Sequence, residues 1–120
     1  MSTPLRTLRQ SCGASNLMVL LPGAYMRPED FAQAGFFAAV SQRGLALDIA
    51  AVDLDFAAIS GGTALPALQA EIIEPARRQG YQKIWLGGIS LGGLLALCHH
   101  VDTPGSIDGL CLIAPYPGSR

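Results

Sequence analysis

Leu86-Gly87-Gly88-Ile89-Ser90-Leu91-Gly92-Gly93 joins an apolar run that reads as a strand to one that reads as a helix. Within it, Gly88-Ile89-Ser90-Leu91-Gly92 satisfies the pattern G-x-S-x-G. A serine carried on so sharp a strand-to-helix turn takes up a strained backbone, and the residues two before and two after it press together. Glycine at both places removes the side chains that would collide. The turn lifts the Ser90 hydroxyl above the sheet edge and leaves the Leu91 amide free to meet a developing oxyanion. By itself G-x-S-x-G is a weak pattern in a chain with 14 glycines. Its place at a strand–helix junction gives it weight against the bland alternative, a glycine-rich turn in an unrelated α/β domain.

Working outward, apolar runs alternate with helical stripes. Leu17 to Leu21 is continuously apolar and is bounded by Asn16 and Pro22-Gly23, as in a strand buried on both faces. Pro28-Glu29-Asp30 opens a helix, since proline suits the first turn and the carboxylates favour its positive end. Phe31, Ala34, Phe37 and Ala38 carry its stripe and Gly44 ends it. Leu45 to Val52 reads as a second strand, followed by a polar turn through Asp53 and Asp55. After Gly61-Gly62, Thr63 caps a helix whose face is Leu65, Leu68, Ile72, Ile73 and Ala76. Pro75 should kink that helix, and Gly80 closes it. Lys83 to Leu86 is a third strand, Leu91 to about His100 a third helix, and Gly109 to Ala114 a fourth strand. Residues 1–15, with Pro4 and Gly13, leave two readings open: a short edge strand or a loose segment.

Such alternation calls for a three-layer α/β/α domain around a mainly parallel sheet, spanning residues 1–120 as one unit. Ligands bind beyond the carboxyl ends of the strands in these sheets, where Ser90 and Pro22-Gly23-Ala24 both fall. Composition agrees: 120 residues are half hydrophobic and only 14% charged, with a mean hydropathy of +0.35. A net charge of -1 gives no reason to expect nucleic acid or an anionic membrane as partner. No run approaches the ~20 apolar residues of a membrane span. Arg6 and Arg9 precede Leu17–Leu21, but that run is too short for a signal sequence and Pro22-Gly23 breaks it. The expected setting is cytoplasmic. Cys98 and Cys111 are expected to pack as small reduced hydrophobes, and Cys12 lies in a polar stretch. The glycines form neither a dinucleotide fingerprint nor a phosphate-binding loop, so no cofactor and no metal is expected.

With these residues in place the chain resembles the α/β-hydrolase family, over roughly residues 16 to 116. Its nucleophile elbow would be Gly88-Ile89-Ser90-Leu91-Gly92. Leu20-Leu21-Pro22-Gly23-Ala24-Tyr25 looks like the family's oxyanion loop, with Pro22 where that loop usually has histidine. The resemblance implies Ser90 as nucleophile, the Leu91 and Ala24 amides as oxyanion donors, and Gly23 and Tyr25 at the substrate pocket. It also implies a strand order in which residues 17–21 lie between 46–52 and 83–87, with 109–114 beside the latter.

The family's triad continues from serine to an acid and then a histidine. His99 and His100 are the only histidines here. Nine residues along a helix at ~1.5 Å each put them ~13–15 Å from Ser90, at the opposite sheet edge. A general base must come within ~3 Å of the hydroxyl. Asp102 and Asp108 belong to that far edge too. Asp53 is better placed but one strand away, which makes it a turn or cap residue before a pocket wall. The sequence therefore reads as an incomplete, truncated α/β-hydrolase fold acting on an ester or thioester of a small-molecule acyl substrate. The alternatives are a non-catalytic hydrolase-like fragment or binding protein, or an acyltransferase on the same fold. The strand at 109–114, left uncovered, is expected to favour self-association.

Overall fold

A computed structural model describes residues 5–54 and 56–113. Five strands, β1 (Thr7–Gln10), β2 (Asn16–Leu21), β3 (Asp48–Val52), β4 (Lys83–Ile89) and β5 (Gly109–Ile113), form one sheet. Their order is β1-β3-β2-β4-β5. Strands β3, β2, β4 and β5 pair in parallel, in the order expected from the family. β1 joins β3 antiparallel, so the N-terminal stretch supplies an edge strand. Pro4, Asp55 and Ala114, which entered the sequence reading, lie outside the described residues.

The apolar run of β2 is explained by its two faces. Leu17, Val19 and Leu21 point into a core with Ala50, Val52, Ile84 and Leu86, under Leu68, Ile72, Ile73, Leu95 and Ala96. Leu20 points the other way, into a cluster with Ile49, Ala51, Phe31 and Phe37. A strand between two helical layers has no solvent face to leave polar. Each fully buried aliphatic side chain of this kind contributes about 1.5–3 kcal/mol.

The helices depart from the sequence reading in instructive ways. The first is two helices, α1 (Pro28–Gln33) and α2 (Phe36–Gln42). Gly35, at φ 91°, breaks it, and Ala34 and Ala38 are exposed instead of buried with Phe31 and Phe37. A short α3 (Phe56–Ser60) lies between the turn read at Asp53 and Asp55 and Gly61-Gly62, in a stretch to which the sequence reading assigns no element. The next helix is α4 (Ala64–Leu68), a π-helical turn (Gln69–Ile73) and α5 (Glu74–Gln79). Pro75 is thus accommodated by a widened turn just before it, in which the Glu74 amide bonds back to Gln69. Gly80 closes α5 in the left-handed region, at φ 101°. Thr63 sits at the N-cap of α4, but its hydroxyl donates to the Ala58 carbonyl rather than capping the helix.

Helix α6 (Leu91–Asp102) packs on β4, β5 and β2. Two corrections concern cysteines: Cys98 and Cys111 are both exposed, as is Cys12, and all three are free thiols. Cys98 lies on the outer side of α6, whose buried side carries Gly92, Leu95, Ala96 and His99. Cys111 lies on β5, at the other end of the sheet from β1 and β3, on which α1 packs. No described helix is long and apolar enough to cross a membrane.

Candidate functional site

β4 runs three residues past its expected end, so Gly87 and Gly88 are strand residues paired with Leu20 and Leu21. The chain then reverses into α6 at one residue. Ser90 has φ 56° and ψ -116°, the positive φ that the flanking glycines predict. A non-glycine residue there stores about 1–3 kcal/mol and persists only where its surroundings over-determine it. Those surroundings are visible. A Cβ at Gly88 would lie 2.5 Å from the Gly93 nitrogen, and one at Gly92 would lie 2.7 Å from the Pro22 carbonyl oxygen. The Ser90 amide donates to the Ile113 carbonyl at 3.0 Å, tying the turn to the end of β5.

Ser90 is the N-cap of α6, yet its hydroxyl makes no capping bond. Serine at this position usually turns its oxygen onto the helix amides; here the side chain is left half-buried and unengaged by the helix. Leu91, the first residue of α6, has no intrahelical acceptor for its amide.

The loop after β2 comes up beside this turn. A Cβ at Gly23 would lie 3.6 Å from the Ser90 Cβ and 3.3 Å from the Ile89 carbonyl oxygen. Residues 23–26 form a tight turn closed by the Met26 amide on the Gly23 carbonyl at 3.1 Å. Tyr25 takes its third place at φ 62°, where one turn type demands a left-handed residue. Ala24 is exposed and Tyr25 fully so, so the tyrosine ring closes off no pocket in this conformation.

The structure thus brings Ser90, Leu91, Gly23 and Ala24 to one edge, and keeps both histidines away from it. His99 is fully buried, with Nε2 2.8 Å from Gln69 Oε1, and its Nδ1 has no partner. Burial pushes its pKa down, Asp102 pulls it up, and His100 adds to the lowering. His100 is exposed near the end of α6. Asp53 pairs with Arg6 at 3.2 Å. Arg6 also grips Glu29 in a bidentate pair at 2.7 and 3.0 Å, whose hydrogen bonds hold the Glu29 carboxyl down at about 2. The sequence carries no signal for this cluster, whose members lie 23 and 47 residues apart.

At the opposite edge Asp48 is buried. Burial alone would raise its pKa, but the Cys12 amide, the Tyr81 hydroxyl and the Ala14 amide hold it below the usual range. Asp108 accepts from the Ile84 amide at 2.8 Å and from Arg77 at 2.7 Å, which lowers its pKa likewise. These carboxylates fasten strand ends. A surface cavity of about 560 Å³ also lies at that edge, lined by residues 10–14, Val40, Ser41 and residues 44–47. It shares no residue with the Ser90 turn, so the backbone geometry, and not cavity size, identifies the candidate site. Among the described residues no cluster of three His, Cys, Asp or Glu could hold a metal ion.

Solved structures with the same architecture include a monoacylglycerol lipase from Paleococcus ferrophilus, with 19% identity over 94% of this chain and 44% of that one, at a TM-score of 0.72. MenH from S. aureus matches with 17% identity over 99% of this chain and 45% of that one, also at 0.72. MGS-MChE2, an alpha/beta hydrolase enzyme from the metagenome of lagoon sediments at Mar Chica, Morocco, matches with 19% identity, 96% and 50% coverage, and a TM-score of 0.68. The chain has the α/β-hydrolase fold. It spans about half the length of these structures. No protein-family model matches the sequence, and no curated protein does. Within the α/β-hydrolase fold, the residues above occupy the carboxyl edge of the central strands.

Proposed function

We propose that this chain carries the nucleophile and oxyanion-binding half of a serine hydrolase acting on ester or thioester bonds. Ser90 attacks the acyl carbonyl, and the Leu91 and Ala24 amides receive the negative charge that develops on its oxygen. The observation that carries this reading is the Ser90 backbone, at φ 56° and ψ -116° on a one-residue strand-to-helix reversal. Strain of that kind, held by two glycines that tolerate no Cβ, supports a functional turn over an incidental one. The uncapped hydroxyl and the Gly23 backbone beside it support the same reading. Each preorganised oxyanion donor is worth roughly 10²–10³ in rate.

Proton removal is the part these residues do not perform. His99 is locked against Gln69, and Asp53 is engaged by Arg6. The chain alone is therefore nearly inert, and a base supplied from outside should restore part of the activity. The test is hydrolysis of p-nitrophenyl acetate with and without added imidazole, by the unaltered chain and by Ser90→Ala. The expected result is an imidazole-dependent rate, above that of imidazole in buffer, which Ser90→Ala abolishes. Equal rates from the two proteins would overturn the proposal.

A further inference from the structure

Met26 holds both backbone polar groups of Gly23, the amide of the Pro22–Gly23 peptide and the carbonyl of the Gly23–Ala24 peptide. Its backbone amide donates to the Gly23 carbonyl at 3.1 Å. Its thioether sulfur accepts from the Gly23 amide at 3.3 Å. The same sulfur would lie 3.1 Å from a Cβ at Gly23, so the side chain is folded back directly over that residue. Gly23 is buried, which leaves its amide no route to water. A buried amide without an acceptor costs about 1–3 kcal/mol, and sulfur, though a weak acceptor, fills that place.

The turn needs such a brace. Tyr25 stands at φ 62° with its side chain fully exposed, so no packing of its own keeps it in the left-handed region. The other anchor points lie downstream, where Met26 packs against the cluster of Leu20, Phe31 and Phe37. Asp30 then accepts from the Arg27 amide at 2.8 Å as α1 begins. Met26 is thus the residue through which the core transmits a fixed position to the Gly23–Ala24 peptide.

We infer that Met26 is a positioning residue: its thioether anchors the amide of the Pro22–Gly23 peptide while its backbone amide holds the Gly23 carbonyl, and with Gly23 fixed at both ends the Ala24 amide of the next peptide is presented at Ser90. This rests on the hydrolase reading for its chemical consequence, but the clamp itself can be observed independently. The sulfur is what matters, and an aliphatic side chain of the same size fills the space without replacing it.

The test is Met26→Leu, which keeps the volume and removes the acceptor. Amide hydrogen exchange at Gly23 is read against the strand amides of Val19 and Ile84, which report global opening. Gly23 exchange should accelerate about ten-fold, the low end of the penalty for an unmet buried donor, with Val19 and Ile84 unchanged. The imidazole-supported kcat should fall about ten-fold with KM unchanged. Unaltered Gly23 exchange overturns the inference, as does acceleration of all three amides together, which would make Met26 merely structural. Faster Gly23 exchange with an unchanged kcat overturns it also. If Ser90→Ala cleaves the ester as fast as the unaltered chain, the hydrolase reading fails, and Gly23 exchange alone decides whether Met26 is the clamp.

Discussion

Gly92, the second residue of α6, packs directly on the carbonyl group of Leu21, the last residue of β2. The start of α6 and the loop that begins at Pro22 therefore meet backbone to backbone, with no room for a side chain between them. A Cβ at Gly92 would overlap Leu21 and come within 2.7 Å of the Pro22 oxygen. Backbone on both sides leaves nothing that can rotate away. Gly92→Ala and Gly88→Ala should each destabilise the fold by about 1–3 kcal/mol or more, as overpacking does. Gly87→Ala is the control. Its Cβ would meet the Leu20 Cδ2 at 3.0 Å and the Met18 sulfur at 3.2 Å, both ends of mobile side chains. Urea midpoints should rank Gly87→Ala well above the other two. A Gly92→Ala protein as stable as the unaltered chain would mean that α6 and β2 are not in contact.

Among the described residues, the two non-glycine residues with positive φ, Tyr25 and Ser90, belong to the same site. Left-handed backbone costs an L-residue about 1–2 kcal/mol, and glycine's greater freedom in the unfolded chain returns part of any gain. Tyr25 buries nothing. Tyr25→Gly should therefore leave stability unchanged or raise it by up to about 1 kcal/mol, as read from thermal or urea unfolding. A clear loss would show that the ring packs on something.

His99 gives stability a pH dependence with a definite sign. Burial holds its pKa below the ordinary 6.5, against the pull of Asp102 and with the help of His100. The unfolded chain takes up a proton that the folded chain refuses, so the contribution of the neutral imidazole is complete above about pH 6.5. It is lost as pH falls from there toward the lowered folded value. Glu29, Asp48 and Asp108 are held below the usual carboxylate range and act in a lower window. Urea midpoints should fall between pH 7.5 and 5, and His99→Leu should flatten that slope even if it lowers both ends. The same slope in His99→Leu would assign the effect elsewhere.

Much of this was legible in the chain because the apolar runs were unambiguous. Leu17–Leu21 has no polar position to misread, and Gly88 and Gly92 flank Ser90 in a pattern with a steric cause. Other features depended on partners remote in sequence. Gly35 does not stand out inside the single helix read from Pro28 to Gly44, and it is the structure, with Gly35 at φ 91° and both Phe31 and Phe37 buried under the sheet, that shows the chain breaking there. Pro75 announces a disturbance but not the π-helical turn that absorbs it. Cys111 looks buried by its apolar neighbours, whereas burial depends on which strands the helices cover. Met26 had no signal at all, since its role lies in a thioether folding back three residues.

The two edges of the sheet differ in a way that predicts association. β1 carries Arg9, exposed, along Thr7–Gln10, and charge on an edge strand discourages further pairing. β5, Gly-Leu-Cys-Leu-Ile, carries no charge, and β4 is the one strand it pairs with among the described residues. Trp85 at 36% and Ile113 at 41% exposure lie on these two strands, with Cys111 exposed as well. An uncharged edge beside an exposed apolar face is a site of association, and a net charge of -1 offers little repulsion. We expect the chain alone to form dimers or larger species, measured as molecular mass by light scattering across a concentration series. Ile113→Lys should shift the population to monomer without lowering the urea midpoint, because it places a charge at the edge where side chains are already exposed. A reducing agent must be present throughout, since exposed Cys12, Cys98 and Cys111 could otherwise link copies covalently. A unaltered chain that stays monomeric at high concentration would show that β5 is protected, and the expectation would fall.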